Sequence, residues 1–313
     1  MRERPFIVAA LSCLLMFAIG STRNPEAKGV YEGRFWLMKF HWRNCADVVL
    51  SGDSRVCSDV SPAEINQYIP ELRVFNYAFD GVGYYKEYLD SIPKVLDPQS
   101  NRKVIILGIT PRSVITSAIT NDHYKDSKRR TKYHSNAILA SLDRLLQLLQ
   151  PMALREIFCV FFPGKNQQHF FRYYSPDGWV ERHIVPEDPR ALVEPYRETF
   201  IRNQVLPETI HELLQCIRKW RQAGIEVYGF RPPTTNEMLE VENSFSGFDE
   251  QSFVASFKDA GGVWLEVRQT AYRTYDGSHL NPDAAKAFSR DLARIISDSM
   301  SKKSASQERN ETE

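Results

Sequence analysis

The chain has five cysteines and seven histidines, yet no C-x-x-C pair and no two histidines at metal-ligand spacing, which argues against a structural metal. It has almost no net charge, because Lys plus Arg number 40 against 39 for Asp plus Glu. That balance argues against nucleic acid or a bulk polyanion as a partner. The one concentrated basic run, Lys125 to Lys132 (KDSKRRTK), reads as a solvated loop, with contact to an anionic surface as the alternative. No internal repeat and no linker between domains is visible. The N-terminal apolar run, Phe6 to Ile19, is about 14 residues long, short of the ~20 that span a bilayer.

What is present describes an exported globular protein. At 313 residues the chain can hold one large domain or two small ones, and 42% apolar with 25% charged residues is ordinary for a chain with a full core. Arg2 and Arg4 precede the apolar run, and the small residues Ala18 and Gly20 lie at its end. This pattern reads as an export signal over residues 1 to 22, with an uncleaved membrane anchor as the alternative. The expected location is outside the cytoplasm: periplasmic, extracellular or anchored facing outward. Residues 23 to 300 form the expected domain, and 301 to 313 a disordered polar tail. Export permits a disulfide among Cys45, Cys57, Cys159 and Cys216, with Cys45 and Cys57 the nearest pair; buried free thiols are the equal alternative.

Apolar runs and breakers alternate along the domain. Asp47 to Leu50, Val74 to Phe79, Lys103 to Ile109, Ile225 to Phe230 and Gly262 to Val267 read as short strands. Ser61-Pro62-Ala63-Glu64 has the form of a capping box with proline at the first helical position. Ile138, Leu142, Leu145 and Leu149 share a helical face, Pro207 to Ala223 forms a strong amphipathic helix closed by Gly224, and Asn281-Pro282 opens a last helix through about Ser297. Ile157 to Phe162 fits strand or buried helix. Gln167 to Pro189 shows no period and reads as a long surface excursion. Strands that are apolar on both faces, alternating with helices, predict a mainly parallel sheet covered on both sides. Ligands in such sheets sit where the strands' carboxyl ends open into loops, and Ser54, Gly81, Thr110 and the Arg231-Pro232 turn all follow candidate strands.

Two segments near opposite ends of the chain carry the chemistry. Val48-Val49-Leu50-Ser51-Gly52-Asp53-Ser54 is an apolar run that breaks at a glycine and delivers a serine. Asp276-Gly277-Ser278-His279-Leu280 places a carboxylate three residues before a histidine. A serine hydroxyl becomes nucleophilic when an imidazole takes its proton, and a carboxylate fixes the imidazole's tautomer. Nucleophile, acid and base therefore follow in that order. The plain alternatives are a helix-capping serine at Ser54 and, at Asp276 and His279, a turn and a helix-entry histidine. Asp53 and Arg55 read as turn formation and helix-end electrostatics, and Asn76 as a structural hydrogen bonder.

These residues resemble the SGNH (GDSL-like) hydrolase superfamily. Ser51-Gly52-Asp53-Ser54 is similar to its first block, Asn76-Tyr77-Ala78-Phe79-Asp80-Gly81 to its second, and Asp276 with His279, continued by Leu280-Asn281-Pro282, to its last. The resemblance implies a flavodoxin-like three-layer α/β/α sandwich and a serine esterase needing no cofactor, with Ser54 as nucleophile, His279 as base and Asp276 as orienting acid. It also implies that the backbone N–H of Gly81, with that of Ser54, binds the oxyanion. The third block departs: Gly108-Ile109-Thr110-Pro111 places Thr110 where the family has an oxyanion-binding asparagine. Loss of one such donor costs ~10²–10³ in rate. The expected donors there are Thr110, with shorter reach, or the charged Arg112. The implied substrate is a small, short-chain acyl ester. An O-acyltransferase acting on a cell-surface glycan, with Phe170, Phe171, Tyr173, Tyr174 and Trp179 as a sugar platform, and a non-catalytic binding relative are the rivals. Residues 112 to 206 have no counterpart; of their histidines, His169 and His183 are candidates to line the cleft.

Overall fold

The computed structural model describes residues 30, 32–115, 122–133 and 169–312, with positions 8, 11, 12, 14 and 15 of the N-terminal segment. Most of residues 1–22, the expected export signal, together with the expected helix over 138–149, the run 157–162 and Cys159, lie outside the described residues. Among the described residues no helix is long and apolar enough to cross a membrane.

Strands β1 (Val48–Ser51), β2 (Val74–Asn76) and β3 (Val104–Gly108) are buried at every position. Branched aliphatic residues crowd these runs, favouring the extended backbone, and total burial requires cover on both sheet faces. They are separate from the hairpin formed by β4 (His169–Tyr174) and β5 (Val180–Val185). With β6 (Glu226–Phe230) and β7 (Val263–Trp264) they make one parallel sheet in the order β2-β1-β3-β6-β7. Counted along its own strands that order is 2-1-3-4-5, the flavodoxin-like arrangement, and the fold is the expected α/β/α sandwich. The strand order reverses at β1 and β3, so their carboxyl ends flank a crevice.

Helix α1 (Glu32–His41) precedes the sheet, α2 (Ser54–Asp59) and α3 (Pro62–Ile65) follow β1, and α4 (Lys86–Leu89) follows β2. Next come α5 (His123–Tyr133), α6 (Val193–Arg202), α7 (Pro207–Gln222), α8 (Asn236–Phe245), α9 (Glu250–Asp259) and α10 (Pro282–Thr312). Helix α10 packs on α2 and α3, while α7 packs on β6 and α9. The buried face of α7 is Leu213, Leu214, Ile217 and Trp220, the stripe its 3.6-residue period dictates. A small second core of Ile115, Tyr196, Phe200, Met238 and Val241 joins α6 to α8 beside the main one.

Several expectations are corrected. Helix α3 starts at Pro62, but Ser61 makes no side-chain cap; Glu64 instead pairs with Arg290 of α10. The basic run is helical rather than a loop: Asp122 accepts from the N–H groups of Tyr124 and Lys125, and Tyr124 and Ser127 are buried where α5 packs on α1. The excursion 167–189 contains the antiparallel hairpin β4–β5, turned at Ser175-Pro176-Asp177-Gly178, where the Ser175 N–H bonds Trp179 O. Tyr174 and Trp179 are buried, which removes both from any sugar platform. The last helix runs past Ser297 to Thr312. Cys45, Cys57 and Cys216 are free thiols. Cys57 lies in the core, 3.6 Å from the buried Lys39 ammonium, and burial pushes its thiol up to about 11.

Candidate active site

The turn after β1 has room for no side chain at its glycine. Gly52 has φ +156°, and a Cβ there would stand 2.4 Å from Val56 Cγ2. Asp53 then caps α2, its Oδ1 accepting from the Arg55 N–H at 3.0 Å. Ser54 is therefore the first residue of α2, at the mouth of the crevice.

The loop before α10 is closed by antiparallel pairing of Thr274 with Leu280. Inside it, Asp276 Oδ1 accepts from the N–H groups of Ser278 (2.9 Å) and His279 (2.8 Å), as short acidic side chains do in turns. Gly277 (φ +92°) lies against Pro189, whose carbonyl oxygen would be 2.3 Å from an added Cβ. The hydroxyls of Thr234 and Thr235 donate to Gly277 O, so the loop is tied to the segment after β6.

These two turns meet. His279 Nε2 is 2.8 Å from Ser54 Oγ, across 225 positions of sequence, and His279 Nδ1 is 2.8 Å from Asp276 Oδ2. A carboxylate only accepts, so Nδ1 carries the ring proton and Nε2 accepts the serine hydroxyl. Burial opposes ionisation of Asp276, but the bond from the His279 ring and two backbone N–H groups hold the carboxyl below its ordinary value. A hydroxyl, an imidazole and a carboxylate in this line can transfer a proton from Oγ to Nε2 while the ring stays oriented.

The other expected site residues divide. Gly81 lies in the same cleft as Ser54 and His279 and adopts φ +66°. Arg112 also lines that cleft, of about 440 Å³, with its guanidinium 5.1 Å from the Tyr196 ring centre. Thr110 is committed elsewhere. Its hydroxyl donates to Asp53 Oδ2 at 2.5 Å and accepts from the Ser113 N–H at 3.0 Å, and the residue is buried. Asn76 bonds the carbonyls of Val56 and Val60, fastening α2 to β2. His183 is not among the cleft-lining residues; His123 is. The side chain of His169 lies outside the described residues.

No family model matches the chain, and no curated protein matches it. Among solved structures, the fold is similar to a "putative lipolytic protein of G-D-S-L family" from Desulfitobacterium hafniense DCB-2. That match is 8% identical, covers 80% of this chain and 99% of that one, and has a TM-score of 0.37.

Sequence reasoning missed the charged layer beneath and beside the serine. Arg55, expected to serve turn formation and helix-end electrostatics, is buried; it donates to Ser278 Oγ at 3.0 Å and to Glu242 Oε1 at 2.5 Å. Glu242 also accepts from Arg231 at 2.9 Å. Both arginines belong to segments that follow strands, but nothing local in the sequence announces Glu242 of α8 as their shared partner. On the other wall, Asp80 is ion-paired to the buried Arg182 of β5, with His123 Nε2 at 3.9 Å. Burial works against the Asp80 charge, yet Arg182 and His123 hold its carboxyl below its ordinary value. Burial lowers His123, which stacks on Trp36 at 4.3 Å.

Proposed function

We propose that this chain is a serine esterase that hydrolyses a small acyl ester through an acyl-enzyme. The continuous hydrogen-bonded line from Ser54 through His279 to Asp276 carries the reading. In the first half-reaction Ser54 Oγ bonds to the ester carbonyl carbon as its proton passes to His279 Nε2. The carbon–oxygen bond to the alcohol then breaks, and the alcohol leaves with that proton. In the second half a water adds to the acyl carbon, again giving its proton to His279, and Ser54 Oγ recovers it as the acid departs. Asp276 holds the imidazolium and stays ionised throughout.

The backbone N–H groups of Gly81 and Ser54 are the proposed oxyanion donors. The Thr110 hydroxyl is not one of them, because its single proton is directed at Asp53. Residues 1 to 22 carry the composition of an export signal, so we assign the enzyme to the outside of the cytoplasm, where N-terminal sequencing of the secreted protein would find a start near residue 23.

The deciding experiment pairs kinetics with labelling. The mature protein should hydrolyse 4-nitrophenyl acetate and react with a fluorophosphonate at Ser54. Ser54→Ala should lower kcat/KM by a factor of about 10⁴ or more and abolish labelling. Equal turnover by wild type and variant would remove Ser54 from the mechanism.

A further inference from the structure

Among the described residues, the carboxylates and guanidinium groups lining the cleft each have an ion-pair partner, within it or beside it, save one. Arg182 is bound by Asp80, Arg172 by Glu32 at 3.1 Å, and Asp126 by Arg129. Arg112 has no carboxylate partner among the described residues; its contact is the face of Tyr196. Tyr196 is itself anchored, since Ser278 Oγ donates to its phenol oxygen at 3.2 Å and Arg55 lies 5.7 Å from the same ring. Arg55 is neutralised by Glu242; Arg112 is not neutralised by anything described. The ring thus holds, in the same cleft as Ser54 and His279, a guanidinium with no carboxylate partner among the described residues.

We propose that Arg112 selects the substrate: the cleft takes esters that carry a negatively charged group, a carboxylate, phosphate or sulfate, close to the scissile bond. The proposal rests on the esterase reading and names its substrate class. A guanidinium fork meets any of these oxyanions with two parallel N–H donors. Holding it against an aromatic ring limits the side-chain freedom lost on binding. The partly enclosed cleft screens the charge less than open solvent would, so the preference should be measurable at physiological salt. Arg172 and Arg182 contribute little to this selection, because each already has a carboxylate partner.

The test uses matched aryl acetates on the mature protein: phenyl acetate, 4-acetoxybenzoate and 4-acetoxyphenyl phosphate, followed by release of the phenol. Wild type should favour at least one anionic ester over the neutral one by about tenfold or more in kcat/KM, after correction for intrinsic reactivity. Arg112→Gln should bring that ratio towards one, and Arg112→Lys should restore part of it. Which anionic ester is preferred separates carboxylate from phosphate recognition. A wild-type ratio near one would overturn the proposal. So would Arg112→Gln slowing all three esters equally, since that outcome makes Arg112 an oxyanion donor instead. A second arm does not depend on turnover. Ser54→Ala protein should bind benzoate or phenyl phosphate more tightly than benzyl alcohol by calorimetry, with the difference lost in Ser54→Ala/Arg112→Gln. Anion binding without hydrolysis would sink the esterase reading and spare the site; hydrolysis without selectivity would do the reverse.

Discussion

Thr110 shows how one hydroxyl can be read two ways. The family resemblance implies an oxyanion donor at this position, and its reach makes it a poor one. The structure gives it a different employment: it closes a capping box with Ser113 and donates to Asp53, the residue that shapes the turn under Ser54. Its removal should therefore affect stability before chemistry. Thr110→Val is expected to lower unfolding free energy by about 1–3 kcal/mol, through the lost cap and the unpaired Asp53 oxygen. The kcat of the folded variant should fall less than tenfold, well short of the ~10²–10³ that a lost oxyanion donor costs. Urea denaturation and active-site-titrated kinetics measure the two effects separately; a hundredfold loss of kcat at unchanged stability would return Thr110 to the oxyanion. The individual groups of the line itself were legible in sequence, because Ser54 follows a buried strand and a glycine, and Asp276 and His279 share one turn. Thr110 was not, because its partner Asp53 lies 57 positions away.

At the scale of elements, α2 is a six-residue helix held in place by buried polar contacts. At its start Arg55 reaches Ser278 and Glu242; at its end Asp59 Oδ1 accepts from the Leu280 N–H at 3.1 Å. Asp59 Oδ2 has no hydrogen-bond partner among the described residues, and Asp59 is fully buried. Burial raises the Asp59 carboxyl well above its ordinary value, only partly offset by the Leu280 N–H and Arg55. A carboxyl whose folded pKa lies above its unfolded one contributes full stability below the unfolded value, and loses it as pH rises through the folded value. Asp59→Asn keeps an acceptor for Leu280 and cannot ionise. The variant should be little different from wild type near pH 4 and progressively more stable than wild type as pH rises to 8, measured by denaturant midpoints across that range. A stability gap that stays constant or narrows would contradict the assignment. The strands and α7 were legible because their signals are local: continuous apolar runs and a 3.6-residue stripe. Hairpin β4–β5 was missed because its ladder of His-Phe-Phe-Arg-Tyr-Tyr against Val-Glu-Arg-His-Ile-Val mixes aromatic and charged residues on both faces. Its clearest sign was the turn at Pro176-Asp177-Gly178. The basic run 125–132 likewise shows no apolar stripe, and its helix depends on the Asp122 cap and on packing against α1.

For the whole molecule, the decisive fact is that the first strand turn and the last helix must be docked for Ser54 to meet His279. That docking is made by buried groups far apart in sequence: Arg55 to Ser278, Arg55 to Glu242, the Asp59 carboxyl to the Leu280 N–H, and the Ser61 N–H to Ser289 Oγ at 2.8 Å. The sheet order was legible only as a class, since which strand lies beside which follows from these long-range contacts rather than from any local run. Because the contacts belong to the main core and not to a peripheral flap, the site should lose its geometry only when the fold does. Glu242 offers the sharpest probe. It is fully buried between Arg55 and Arg231; replacing it leaves Arg55 without its carboxylate in a low-dielectric interior, while Arg231 keeps Glu250. Glu242→Gln is expected to cost about 3–5 kcal/mol of stability. Urea titrations should follow both esterase activity and the fluorescence of the buried tryptophans Trp36, Trp179, Trp220 and Trp264. In wild type and variant alike the two signals should share one midpoint, and that midpoint should fall in the variant. Activity lost well before fluorescence would mean that the Asp276–His279 loop detaches on its own, and that the buried arginine network does not bind it to the core.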